Sequence, residues 1–509
     1  MKNSRTYKAL LTFIASILTK ISQYGINFFV TPVMIQVLGA TDYGVWQIIN
    51  QFINYISFAD LRPTNALKYI IASKQSVDDK SFKRRQVGSA LIAWLITLPI
   101  LILTGCVIAY FLPVTTKVDV EKFPLVRLIG LILLLDYLLG NLSSLVQSIL
   151  RGENLAYKGI IFISTTTLLS GIVMIIVVRR GYGLLGVAIV TVLTTCIFGV
   201  GNWWITKKNV KWLGIEKPSW EEVKKLIRFG FWILLSSFSG MLLFSTDIMI
   251  IGLSLGARFV TTYVITKTVI ELINNLVYSL VSSSLAGLGD LYGRGDFSRL
   301  REVRASMQLF TFFCISVIGA GVISLNKSFV GLWVGGQQYA GNIVNLILVI
   351  ASFEPLLNQQ DSLIIDLTQE IASKMLVTLL SGVAAVTCGF LLIPSLGILG
   401  MAIGNLLGRF LYLVGLSLLC AVKIDESITV YFKRLIRPII ASCLLYWVAF
   451  QISERFTINT WWLFLMVSIL LGLIFALTAW FCELNKLQRT NISQYLYFCP
   501  TSIRNLLSR

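Results

Sequence analysis

Residues 37–48 read VLGATDYGVWQI, and residues 254–265 read SLGARFVTTYVI. Each is a glycine-centred break with a long apolar stretch on either side. Leu38-Gly39-Ala40 falls on Leu255-Gly256-Ala257 at an offset of 217. A second echo follows at an offset of 214: GLLGVAI from Gly183 and GILGMAI from Gly397. Asn141 and Asn358 fall at equivalent depth under the first offset. Matching punctuation at consistent spacing marks an internal repeat, and a repeat of apolar segments raises the question of the medium.

The medium is lipid. Of 509 residues, 56% are hydrophobic and 13% charged, whereas soluble domains carry about 25% charged residues. Many apolar runs exceed the roughly 20 residues needed to cross a bilayer as a helix. None shows the strict alternation of a membrane β-strand. The expected fold class is therefore an all-α polytopic membrane protein with about 14 transmembrane helices. The first two spans are read as Leu10–Leu38 and Tyr43–Ala72, the seventh as Phe231–Leu255, the thirteenth as a short Ile439–Ile452 and the last as Trp461–Phe481. The N-terminal apolar run is too long for a signal core and has no obvious cleavage site, so it is read as an uncleaved first span.

The net charge of +19 sits mostly in short loops, where Lys and Arg set topology and attract anionic headgroups; nucleic acid is not an expected partner. Basic residues concentrate on the side that holds the N-terminus, including Lys80, Lys83, Arg84, Lys207, Lys208 and Lys211. By the positive-inside rule both termini are cytoplasmic. The 8 Cys lie mostly inside spans, and there is no His, so a zinc site is not expected. No P-loop is present, and no cofactor is expected.

An even number of spans per copy makes this a parallel repeat about an axis along the membrane normal. The organisation read from the sequence is a six-helix bundle (1–206), a cytoplasmic amphipathic linker (207–230), a second six-helix bundle (231–422), two additional spans (423–482) and a basic cytoplasmic tail (483–509). In the linker, Ser219 followed by Glu222 fits a capping box. With Trp220, Val223 and Ile227 on one face, a short interfacial helix is expected there. No loop has room for a soluble catalytic domain.

Polar residues gather on the first two spans of each repeat. Ser16, Lys20, Gln23 and Asn27 share one side of the first span, and Asn54 lies on the second. Asp60 and Arg62 follow, while Asp247 sits in the seventh span and Lys267, Glu271 and Asn274 in the eighth. These four spans are expected to line a central cavity. A mid-bilayer charge costs about 2.5–3.5 kcal/mol, so each needs a partner or water. Lys267 and Glu271, four apart, can pair directly. Lys20 has no carboxylate within a turn, as befits a cation awaiting an anionic headgroup. Glu354 precedes Pro355, where a kink is expected and a cation or proton site is conceivable. Asp136, Asp361 and Asp366 are further membrane carboxylates, and Arg409 has no role visible in the sequence.

LGATDYGVW after the first span, SFADL in the second, STDIMIIGLSLGARFVTTY across the seventh and FVGLWVGGQQYAG before the tenth resemble the polysaccharide transporter family, which includes the O-antigen and capsule repeat-unit flippases. With the multidrug extruders and lipid II flippases these form one superfamily of two six-span bundles. The resemblance covers residues 5 to 480. It implies a V-shaped, non-enzymatic transporter that moves an undecaprenyl-pyrophosphate-linked oligosaccharide across the bacterial cytoplasmic membrane by alternating access. Lys20, Arg62 and Lys267 would then engage the pyrophosphate, with Gln23, Asn27, Asn54 and Asn274 passing the sugars. Asp60, Asp247, Glu271 and Glu354 would be coupling or structural carboxylates, with Na+ or H+ as the coupling ion. Family members commonly have Asp-Leu-Gly where this chain has Asp60-Leu61-Arg62-Pro63. The implied partners are the lipid-linked substrate, membrane lipids and the polysaccharide polymerase and chain-length machinery. The rivals are a cation-coupled multidrug extruder and a membrane glycosyltransferase or polymerase.

Overall fold

The computed structural model describes residues 5–57, 67–68, 70–71, 79–282, 284–368 and 371–483. These hold sixteen α-helices: α1 (Arg5–Ile56), α2 (Lys80–Thr116), α3 (Phe123–Gly152), α4 (Ala156–Arg179), α5 (Gly183–Asn209), α6 (Trp220–Phe244), α7 (Asp247–Leu255), α8 (Ala257–Ser282), α9 (Leu285–Gly293), α10 (Phe297–Trp333), α11 (Asn342–Leu357), α12 (Gln359–Leu367), α13 (Ile371–Leu396), α14 (Ile398–Lys423), α15 (Ile428–Arg455) and α16 (Trp461–Cys482). Among the described residues, eleven helices are long and apolar enough to span a membrane, or twelve if α6 and α7 form one bent span.

The count rises to fourteen for two physical reasons. One counted helix, Ala15–Ile56, is 42 residues long; at 1.5 Å per residue it reaches about 60 Å, twice a bilayer core. Its break is at Gly39, with φ 87° and ψ 162°, a conformation that a Cβ would strain. Helix α8, with 26 residues, is long enough to cross as well, and carries Lys267, Glu271, Asn274 and Asn275 within an otherwise apolar sequence. The fold is thus the all-α, roughly fourteen-span architecture that the apolar runs indicate.

Two compact units form. One holds the described residues up to Phe238 with Ile251–Thr261; the other holds Ser239–Ile250 and those from Thr262 on. The opening stretch and its echo both contribute to the first unit, and there they touch. Thr261 Oγ1 donates to Ala40 O at 2.5 Å, and a Cβ on Gly44 would meet Ala257 O at 1.8 Å. Also in this unit, α1 packs on α4: Thr19 Oγ1 bonds Ser164 Oγ at 2.5 Å, and Gly171 admits the Ile26 side chain.

In the second unit, α14 meets α13 through a stripe of small residues. A Cβ on Gly404 would come within 2.4 Å of Gly389 N, and one on Gly408 within 2.7 Å of Ser381 O. Without a hydrophobic drive between helices in lipid, such close backbone approach supplies the packing energy. Helix α15 is fastened to α10 by Tyr446 OH, which donates to Ile315 O at 2.9 Å, and by a Ser316–Ser442 hydroxyl pair at 2.6 Å.

Three sequence expectations need correction. The seventh span is not continuous: α6 and α7 meet at a 52° bend immediately before Asp247. The linker segment is not a separate short helix either, since α6 runs unbroken from Trp220 to Phe244. Its capping box is formed, with Ser219 N donating to Glu222 Oε2 at 2.9 Å and Glu222 N to Ser219 Oγ at 3.3 Å. Val223 is buried on α6, while Trp220, at the first position of the helix, is exposed. The thirteenth span is longer than the apolar run suggests: α15 begins at Ile428, because Lys433, Arg434 and Arg437 lower hydropathy without breaking a helix.

Candidate functional site

Pro355 organises the interior of the second unit. Proline has no N–H, so the carbonyl four residues earlier, on Ala351, loses its helical donor. Arg409 Nη1 supplies the missing bond to Ala351 O at 3.1 Å and reaches Ser352 Oγ at 3.4 Å. The guanidinium also lies over the Phe244 ring, 5.6 Å from its centroid. Arg409 therefore answers the proline, and α11 gives way to α12 three residues later, at Asn358. Asn358 in turn is buried, donating Nδ2 to Leu413 O at 2.8 Å and accepting from Ser417 Oγ at 2.9 Å.

Beside this lies a cluster centred on Lys267. Its Nζ is 2.7 Å from Asp247 Oδ2 and 2.9 Å from Glu271 Oε1. Asp247 opens α7 just after the bend. Its Oδ1 accepts from Ile248 N at 2.9 Å, and its Oδ2 accepts from Tyr263 OH at 2.6 Å. Asn405 Nδ2 reaches Tyr263 Oη at 3.2 Å. The side chains of Asp247 and Lys267 are 2% and 7% exposed, but that of Glu271 is 54% exposed. The Lys267–Asp247 contact is a fully desolvated pair, which is costly to break from one side. The Lys267–Glu271 contact is an i,i+4 helical pair with one exposed partner, of the kind worth about 0.3–0.5 kcal/mol where such a pair meets water. Glu354 is buried and electrostatically linked to Arg409; its Oε2 has no hydrogen-bond partner among the described residues.

A second buried cluster lies at the start of α10. Arg304, fully buried, donates Nε and Nη2 to the two oxygens of Asp361 at 2.7 Å each, and Nη1 to Glu426. This arrangement ties α10 to α12 and to the residues before α15.

In the first unit, Lys20, Gln23 and Asn27 are exposed on successive turns of α1, and Asn54 is exposed on the same helix after its break. No described residue pairs with Lys20. Asp60 and Arg62 lie outside the described residues. Asn274, in the second unit, is half-buried and donates Nδ2 to Ser352 O at 3.1 Å. The structure thus brings Asp247, Lys267 and Glu271 into one cluster and leaves Lys20 on an open stripe. Sequence reasoning missed Tyr263, Asn405 and Arg409 as members of the interior network. Tyr263 was detectable, one helical turn before Lys267, and Arg409 could have been read from Pro355; Asn405 had no local signal.

Residues 33–337, more than half of the chain, match the family described as polysaccharide biosynthesis protein. The chain belongs to that family. Among solved structures, the lipid II flippase MurJ in an inward closed conformation is similar to this chain with a TM-score of 0.70 and 14% identity, covering 92% of this chain and 98% of that one. An inward-facing multidrug resistance MATE family transporter of the MOP superfamily is similar with a TM-score of 0.59 and 16% identity, over 81% and 98% of the two chains. A MOP superfamily transporter from Pyrococcus furiosus, described as having a binding pocket of reversed polarity, gives a TM-score of 0.55 and 16% identity over 83% and 97%. At these identities the likeness is one of fold. No curated protein matches the sequence.

Proposed function

We propose that this protein is a flippase that moves an undecaprenyl-pyrophosphate-linked oligosaccharide repeat unit across the bacterial cytoplasmic membrane by alternating access, in the biosynthesis of O-antigen, capsule or exopolysaccharide. Both termini are cytoplasmic in this reading. Lys20, Arg62 and Lys267 receive the pyrophosphate, and Gln23, Asn27, Asn54 and Asn274 contact the sugars. A Na+ or H+ gradient, or downstream consumption by a polymerase and chain-length machinery, biases the cycle, with Glu354 the carboxylate best suited to coupling. No covalent step is involved.

The observation that carries this reading is the exposed stripe of Lys20, Gln23 and Asn27 along a membrane-spanning helix. About ten residues of helix separate Lys20 from the start of its span, which places it roughly 15 Å deep. A cation there costs about 2.5–3.5 kcal/mol unless water or an anion meets it. Membership of a polysaccharide biosynthesis family and the MurJ-like fold support the same substrate class.

The test is flipping in proteoliposomes, scored by outer-leaflet accessibility of a pyrophosphate-linked glycolipid. Wild type should transport, and Lys20→Ala and Arg62→Ala should lose most of the rate. A second reading, a cation-coupled drug extruder, is favoured by the buried carboxylates Asp247 and Glu354. Cation-driven dye efflux without glycolipid movement would establish that reading instead.

A further inference from the structure

Lys267 is gripped by two carboxylates that differ in kind. Asp247 is fixed from every side: Tyr263 and Lys267 bond its Oδ2, and its own helix bonds its Oδ1. Glu271 is more than half exposed, and Lys267 is the one described partner of its side chain. A rotation about its side-chain torsions carries Glu271 into the surrounding medium while Asp247 keeps the ammonium in place. The grip is therefore asymmetric: one carboxylate positions the cation and the other merely covers it.

We propose that Glu271 is a built-in competitor for oxyanions at Lys267, setting a charge threshold that a phosphate ligand must exceed to enter. That the admitted ligand is the pyrophosphate of a lipid-linked sugar rests on the flippase reading above; the threshold itself does not. A bare ammonium on a membrane-spanning helix would be taken by the phosphodiester headgroups of the bilayer, which far outnumber any precursor lipid. A phosphodiester carries one negative charge, the same as the carboxylate it would replace, and gains little by the exchange. A pyrophosphate carries more charge and more acceptor oxygens, so it displaces Glu271 where a phosphodiester does not. Selectivity then comes from an element that opposes the wrong ligand rather than from added contacts to the right one.

The experiment uses the full chain in detergent, with binding of undecaprenyl pyrophosphate, phosphatidylglycerol and inorganic pyrophosphate measured side by side. In wild type, undecaprenyl pyrophosphate should bind at least about tenfold more tightly than phosphatidylglycerol, a difference of about 1.4 kcal/mol. Glu271→Gln should raise phosphatidylglycerol affinity severalfold and shrink that ratio, and adding Lys267→Gln should abolish the gain. Inorganic pyrophosphate separates headgroup recognition from the lipid tail: its affinity should also rise in Glu271→Gln. A ratio unchanged in Glu271→Gln, or a gain that survives loss of Lys267, overturns the threshold while leaving the flippase reading intact. A ratio that collapses as expected in a protein that moves no glycolipid in proteoliposomes sinks the flippase reading and keeps the threshold. Failure of the wild type to bind any pyrophosphate probe overturns both.

Discussion

The two copies of the repeat keep the same backbone punctuation and differ in what they bury. Gly39 and Gly256 have φ 87° and 97°, and Gly183 and Gly397 both have φ 59°. At the same offsets, however, Val30 stands opposite Asp247, Asn50 opposite Lys267, Asn54 opposite Glu271, Leu138 opposite Pro355 and Thr195 opposite Arg409. The second copy has the proline together with the arginine that compensates it, and the lysine together with its two carboxylates. The first copy has none of these. In it Leu138 keeps its N–H, Asn50 bonds its own helix at Trp46 O, 2.8 Å away, and Thr195 serves Asp136. Charges here are kept or lost as sets, because a buried member without its partners is costly. The backbone turns are kept singly, since each needs only a residue that tolerates positive φ.

The sharpest way to break this comparison is to remove equivalent residues from both copies. Lys267→Ala leaves Asp247 buried and unpaired and should cost about 3–5 kcal/mol. Asn50→Ala, at the matching position, loses one local bond and should cost no more than about 1 kcal/mol. Thermal melts of the purified protein in detergent decide between them, and equal losses would show that the copies are energetically alike. Next in size is Arg409→Ala, expected to cost about 1–3 kcal/mol because Ala351 O loses its donor. In a Pro355→Ala background that loss should shrink by at least about 0.5 kcal/mol, since alanine restores the helical N–H. An additive double-mutant cycle would refute the proline–arginine link. Gly39→Ala and Gly256→Ala should each cost about 1–3 kcal/mol from backbone strain alone, for no atom lies closer than 3.9 Å to either added Cβ. Unequal costs would mean that only one turn matters to the fold.

The smallest effect concerns the exposed charges of the first unit. The hydrogen bond from Ser81, and then Arg84, hold the Glu216 carboxyl below its usual range. A lowered carboxylate stabilises the fold above its ordinary titration range and loses that contribution as pH falls through the depressed value. Glu216→Gln should therefore melt slightly below wild type at neutral pH, and the two curves should converge below about pH 4.

Much of this architecture is legible in the sequence because the bilayer imposes it locally. Apolar runs of fixed length give the spans, and the recurring glycines give the repeat, with no need for three-dimensional information. The Lys267–Glu271 pair was legible for the same reason, its members being one helical turn apart. Asp247 was visible as a polar residue in its span but not as the partner of Lys267, since the bend after Phe244 brings the two together from different helices. Asn405 was harder still: its place in the network comes from α14 packing on the second unit's interior, through contacts more than 100 residues apart. The stripe of Lys20, Gln23 and Asn27 was read correctly as one face of a helix because periodicity alone defines it. The same spacing already set Lys20, with no carboxylate within a turn, apart from Lys267, and what it did not show is the second, buried partner that Lys267 finds in Asp247.

The Arg304 cluster has a consequence for how the protein is made. Its two carboxylates leave the ribosome after the arginine does: Asp361 comes 57 residues later and Glu426 122 residues later. At roughly 5–20 residues per second, Asp361 follows the arginine by about 3–11 s and Glu426 by about 6–24 s. During that interval the ties from α10 to α12 and to the segment before α15 cannot form. Assembly of the second unit is thus timed by translation: a pause between residues 304 and 361 delays the first tie, and one after residue 426 delays neither.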